Sequence, residues 1–206
     1  MSASAGLMEF QTPKIISEDV TDRRGIFEIE PLDRGFGHTF GNSLRRVLLS
    51  SLEGASVTSV NIEGVAHEFT TIEGVREDVI DIILNLKNLV CRLHGESPEI
   101  EVRLDKKGSG AATAGDLQTP ADLEILNPEL QIAELSGKGH LEMTLTVGRG
   151  RGYVPADQNR GPDHAIGVIP VDAMFSPVKR VAYEVEAARV GQRTDYDKLV
   201  LDVTTD

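Results

Sequence analysis

An α+β fold is predicted by three observations. Short strand-like runs recur along most of the chain, only two segments carry the 3.6-residue period of an amphipathic helix, and 206 residues with 40% hydrophobic content can bury a sizeable core. In order, Pro13 to Ile16 reads as an extended segment. Ile26, Ile29 and Leu32, interleaved with Glu28 and Glu30, read as a strand leading into the first helix. That helix lies within EPLDRGFGHTFGNSLRRVLLSS, from Glu30 to Ser51. At about 100° per residue, Phe36, Phe40, Leu44, Val47 and Leu48 share one side and predict a core stripe. His38, Asn42, Arg45, Arg46 and Leu49 share the other. Arginine beside an apolar anchor is the composition of a buried partner interface. Gly37 and Gly41 fall at the border between the faces, and each costs about 1 kcal/mol relative to Ala inside a helix. They suit the close approach of another backbone. A loop ahead of a helix capped by Thr39 is the other local reading.

Ala55 to Phe69 alternates well enough for one or two strands. A second helix is predicted from about Arg76 to Lys87, because Val75, Val79, Ile82, Ile83, Leu86 and Val90 share one side and Glu77, Asp81, Asn85 and Asn88 the other. Glu77 and Asp78 then sit in its first turn, where negative charge favours the dipole. Further strands are expected at Leu89 to Leu93, Ile100 to Leu104, Leu123 to Leu126, Ile132 to Leu135, Leu141 to Val147, Ile166 to Val171, Val181 to Ala187 and Leu199 to Val203. Lys106 to Ala121, rich in small residues, reads as a flexible connector, and Gly148 to His164 as a second irregular segment.

Charge narrows the function. Asp plus Glu number 33 against 21 Lys plus Arg, a net charge of −12. A domain that grips a phosphate backbone needs clustered positive charge, so this balance points to protein partners. The single cysteine, Cys91, makes no intrachain disulfide and fits a reducing compartment. MSASAGLMEF lacks the basic start and apolar run of a signal peptide, and no apolar stretch approaches the roughly 18 residues of a membrane span.

Enzyme chemistry finds little support. Gly35, Gly37 and Gly41 follow the spacing G-x-G-x-x-x-G, one residue longer than the dinucleotide fingerprint, and Pro31, Asp33 and Arg34 intrude before the first glycine. His38, His67, His94, His140 and His164 are scattered singly, and Cys91 with His94 lacks a second ligand pair for zinc. Ser50 and Ser51 end a helix without a nucleophile elbow. No catalytic, cofactor-binding or metal-binding residue is assigned. GRGRGYVPA, from Gly148 to Ala156, is the one basic patch with an aromatic: Arg149, Arg151 and Tyr153 could touch nucleic acid, but a turn with Tyr153 packed downward, or a protein contact, is favoured. Pro177 to Arg193 places Lys179, Arg180, Arg189 and Arg193 among apolar residues, as an edge strand or a partner-facing run.

The Glu30–Ser51 block resembles the amino-terminal part of the bacterial RNA polymerase alpha subunit family. Three further blocks follow in that family's order: VAHEFTTIEGVREDVIDIILNLKNLV from Val65, GRGRGYVPA from Gly148, and FSPVKRVAYEVEAARVGQRTDYDKL from Phe175. The resemblance implies two interleaved subdomains: a discontinuous dimerisation subdomain, 1–52 and 177–206, and an inserted strand-rich subdomain, 53–176. It implies a homodimer that holds the beta and beta-prime subunits, meets DNA only through the assembled polymerase, and works in the cytoplasm without a cofactor. Arg45, Arg46 and Leu49 on the first helix and Lys87 at the end of the second then belong to the subunit interface, as do Val178, Lys179, Arg180, Arg189 and Arg193 on the beta-prime side. Phe36, Gly37, Phe40, Gly41, Leu44 and Leu48 form the core and dimer seam. The family continues beyond this point with a further dimerisation helix, so the chain ending at Asp206 is expected to be monomeric or aggregation-prone alone. Two rival readings are a nucleotide-binding enzyme and a nucleic-acid module built on GRGRGYVPA.

Overall fold

The computed structural model describes residues 12–18, 20–160, 167–191 and 193–206. Its elements are β1 (Lys14–Glu18), β2 (Arg24–Asp33), α1 (Phe36–Ser50), β3 (Glu53–Ile62), α2 (Val79–Leu86), β4 (Cys91–Leu93), β5 (Glu99–Lys107), β6 (Gly110–Thr113), a 3-10 turn (Ala114–Asp116), β7 (Leu123–Ile125), β8 (Gln131–Leu135), β9 (His140–Arg151), β10 (Tyr153–Val154), β11 (Val168–Pro170), β12 (Ala173–Met174), β13 (Val178–Val190) and β14 (Arg193–Thr205). Strands predominate and helices are few, which is the α+β class. The chain divides into two compact units, one of residues 1–49 with 178–206 and one of residues 50–177.

The first unit is a four-stranded antiparallel sheet in the order β1-β2-β14-β13, carrying α1. β13 and β14 each run 13 residues, well past the predicted cores of Val181 to Ala187 and Leu199 to Val203. They form a hairpin turned by Gly191, whose φ of +60° lies in the left-handed region that glycine tolerates. Leu199 and Leu201 on β14 and Val181 on β13 are buried. Away from these, Lys198 Nζ lies 2.9 Å from Glu28 and 3.0 Å from Glu186, bridging β14 to both neighbours. The two carboxylates raise its pKa, Glu28 most.

The second unit is built on the sheet β11-β3-β9-β5. Its β9 alternates strictly from Leu141 through Met143 and Leu145 to Val147, all buried, so one face meets a core. Cross-strand register stacks Val60, Leu145 and Val102 in one row and Ile62, Met143 and Leu104 in the next. Val57 and Val60 both point inward although three residues apart, which a strict period of 2 forbids. A bulge between Val57 and Ser59 reconciles them, with Thr58 as the extra residue donating to the Thr146 carbonyl at 3.2 Å. Val79, Ile82 and Leu86 of α2 belong to the same cluster.

Four expectations need correction here. The second helix begins at Val79, not Arg76. Asp78 is its N-cap, accepting from the Asp81 amide at 2.8 Å, while Glu77 lies ahead of the helix and accepts from the Glu134 amide. Asn85, expected outward, turns in to donate to the Ile132 carbonyl at 2.9 Å, and Ile80 and Leu84 are the exposed members. The supposed connector from Lys106 to Ala121 is ordered structure: it contains β6, paired with β8, and the 3-10 turn, with Ala112, Ala114 and Leu117 buried. Small residues there permit close packing. Finally, Gly148 to Arg151 continues β9 along β3. Gly150 is needed because the Phe175 ring would lie 2.6 Å from a Cβ at that position.

Candidate subunit-interface surfaces

The geometry of α1 puts neither predicted face against the sheet but the glycine border between them. Its buried positions are Gly37 and Gly41, and the predicted core stripe is largely left uncovered: Phe36 is 50% exposed, Phe40 45% and Val47 52%, with Leu44 and Leu48 half-buried. The reason lies in the sheet beneath. A Cβ on Gly37 would come 2.6 Å from Val185 Cγ1, and one on Gly41 would come 2.7 Å from Tyr183 Cε2. Side chains of β13, not a second backbone, fill the space the glycines leave. The Phe36 and Phe40 rings pack together at 6.0 Å between centroids, beside a shallow hollow lined by Pro13, Pro31, Leu32 and Tyr196.

The start of the helix is closed by a residue no local pattern announces. Asp197 Oδ2 accepts from the Gly35 amide at 2.7 Å and the Gly37 amide at 3.2 Å, so a carboxylate from β14 satisfies the α1 N-terminus and its positive dipole end. That is where a nucleotide phosphate would have to bind. Thr39 is inside the helix, its hydroxyl donating to the Gly35 carbonyl at 3.3 Å, so it is not the cap. Arg45 and Arg46 are exposed and Leu49 is half-buried.

Along β13, Lys179 pairs with Asp206 at 3.0 Å, and Arg189 Nε donates to the Gly191 carbonyl at 2.8 Å. Arg180 lies near Asp202, which Arg24 also holds at 2.9 Å. Val178 is buried and offers no side chain to the surface. The Arg193 side chain lies outside the described residues.

In the second unit, Lys87 forms the C-cap of α2, and its ammonium sits 2.7 Å from Asp172 Oδ2. Asp172 Oδ1 accepts from the Ala156 amide at 2.9 Å. Lys87 is the main cause holding the Asp172 carboxyl below its ordinary range, followed by the Ala156 amide. The basic residues of GRGRGYVPA are engaged within the unit. Arg149 donates to the Leu93 and Gly95 carbonyls, both at 3.0 Å, and Arg151 pairs with Glu53. Gly152, at φ +63°, supplies the expected turn. Tyr153 does not pack downward: it is 56% exposed, opposite Met174 at 50% in the β10-β12 ribbon.

Folding does join one histidine to acidic neighbours. His140 lies 2.9 Å from Asp105 and 3.8 Å from Glu142 on the outer face of β5 and β9. Arg103 pairs with Glu142 and Lys107 approaches Asp105 at 3.9 Å, so the group is an exposed lattice of opposite charges. His38 lies against Tyr183, His67 bonds Thr70 and His94 bonds Glu124. His164 lies outside the described residues. Among the described residues no helix is long and apolar enough to cross a membrane.

Comparison with known proteins completes the site. Residues 60–176 match the family described as RNA polymerase Rpb3/RpoA insert domain. The chain is 56% identical over 200 residues to the DNA-directed RNA polymerase subunit alpha of Carboxydothermus hydrogenoformans, covering 97% of this chain and 64% of that protein. It is 57% identical over 203 residues to that of Symbiobacterium thermophilum, with coverages of 97% and 64%. For Beutenbergia cavernae the identity is 56% over 193 residues, with coverages of 94% and 57%. The chain thus spans less than two thirds of the length of these relatives.

Proposed function

Because this chain belongs to the RNA polymerase Rpb3/RpoA insert domain family, we propose that it is a non-catalytic scaffold of a bacterial DNA-directed RNA polymerase, in which two copies pair and gather the beta and beta-prime subunits. The observation that carries the reading is α1. A helix that seats itself on glycines and presents Phe36, Phe40 and Val47 outward is arranged for a second surface. Fully burying a Phe or Val side chain contributes about 1.5–3 kcal/mol, so half-exposed side chains on each of two copies supply several kcal/mol to a seam. A second copy of α1 is the occupant that accounts for an apolar stripe free of charge.

A symmetric pair displays each remaining surface twice, while the two large subunits differ, so one copy takes beta and the other beta-prime. Arg45, Arg46 and Leu49 of α1 serve this contact, with Lys179, Arg180, Arg189 and Arg193 on the beta-prime side. Polymerisation belongs to the large subunits, DNA is met through the assembled enzyme, and the setting is the cytoplasm. Arg46→Ala tests the assignment. An exposed change leaves folding within about 0.5 kcal/mol, whereas recovery of the beta subunit in co-purification falls by about 2 kcal/mol in binding if the arginine anchors it. Co-purification at the wild-type yield and salt resistance would refute the role of Arg46.

A further inference from the structure

Lys87 is ion-paired with Asp172, and this changes what it can do for a partner. Its ammonium is held at 2.7 Å by Asp172 Oδ2, with each side chain only 34% exposed. The other oxygen accepts from the Ala156 amide at 2.9 Å, just after β10. One carboxylate therefore ties the end of α2 to both strands of the β10-β12 ribbon: Asp172 directly precedes β12, and the Ala156 amide that it holds closely follows β10. A second tie, from Asn159 Nδ2 to the Val171 carbonyl at 2.7 Å, closes the loop behind. On the ribbon, Tyr153 and Met174 are direct cross-strand partners and both are half exposed.

The surroundings favour one kind of occupant. In a chain of net charge −12, Lys87 cancels Asp172 and Arg151 cancels Glu53 beside this pair. What the ribbon itself presents is the Tyr153 and Met174 pair, residue types enriched in protein interfaces. We infer that Lys87 is a positioning residue: through Asp172 it fixes the presentation of Tyr153 and Met174, and those two side chains, not the ammonium, meet an apolar segment of a large polymerase subunit. This rests on the scaffold reading.

The test uses the full-length gene product co-expressed with the beta and beta-prime subunits, with assembled complex quantified by native mass spectrometry. Lys87→Met and Asp172→Asn each lower assembly about tenfold, the double variant is no worse than either single, and Tyr153→Ala with Met174→Ala reproduces the loss. Lys87→Arg, which keeps the ion pair, restores assembly. Fluorotyrosine labelling supplies a local readout: the 19F resonance of Tyr153, assigned by Tyr153→Phe, shifts alike in Lys87→Met and Asp172→Asn while thermal unfolding stays cooperative. Normal assembly of Asp172→Asn beside failure of Lys87→Met would mean that the ammonium touches the partner itself. Normal assembly of the Tyr153 and Met174 variants would remove the ribbon from the contact. Either result overturns the inference. If all these variants assemble while Arg46→Ala fails, the inference falls and the scaffold stands; if wild-type chain recovers no large subunit, the scaffold reading itself fails.

Discussion

Replacing Gly41 by alanine sets two effects of opposite sign against each other. Helix propensity alone makes Gly41→Ala stabilising by about 1 kcal/mol. The new methyl, however, would lie 2.7 Å from Tyr183 Cε2, against ordinary carbon contacts of about 3.5–4.0 Å. Helix and sheet must part by about 1 Å, or the ring must move. The ring is hemmed in by His38 at 6.2 Å between centroids and by the pairing of Tyr183 with Leu201. Overpacking of this kind costs about 1–3 kcal/mol, and lifting α1 also weakens the hold of Asp197 on Gly35 and Gly37. The net expectation is a loss of about 1–2 kcal/mol. Urea unfolding followed by far-UV circular dichroism measures it, and hydrogen exchange of the α1 amides shows whether the loss is local. Unchanged stability, or a gain near 1 kcal/mol, would refute the claim that these glycines are required by the sheet beneath.

Phe40→Glu places charge on the outward stripe of α1, where Phe40 is 45% exposed; sedimentation equilibrium of the full-length gene product is expected to show at least about a tenfold weaker dimer with little change in unfolding, and an intact dimer would place the seam elsewhere. Asp116 gives a pH prediction. Its carboxyl is held below the ordinary 3.8, first by Lys106 at 2.6 Å and then by the Thr113 amide at 2.9 Å. A depressed folded-state pKa contributes stability above the unfolded value of about 3.9 and loses it as pH falls through the folded one. Asp116→Asn is therefore expected to lower stability at neutral pH and to narrow the drop toward pH 3 in urea titrations, and a drop equal to that of the wild type would contradict this.

The strands were legible where alternation was clean. Leu141 to Val147 reads as a half-buried strand from its period alone, and its inward members are the buried ones. Legibility failed where distant residues decide. The helical period of α1 located the helix, but an apolar stripe says only that something covers it, and Tyr183 and Val185 give the inner position to the glycines. The Asp197 cap lies 162 residues from Gly35, so no window around the helix contains it. Lys106 to Ala121 looked like a linker because small residues lower both hydrophobicity and bulk, yet Ala112 and Ala114 are fully buried. Lys87 was visible as an exposed cation at a helix end, while its partner, 85 residues away, was not.

In the proposed scaffold, two copies of this chain hold one copy of each large subunit. Native mass spectrometry of the gene product co-expressed with the beta and beta-prime subunits tests it most directly. A complex containing two copies of this chain and one each of beta and beta-prime is expected. A complex with a single copy, or large subunits that join each other equally well without it, would overturn the scaffold role.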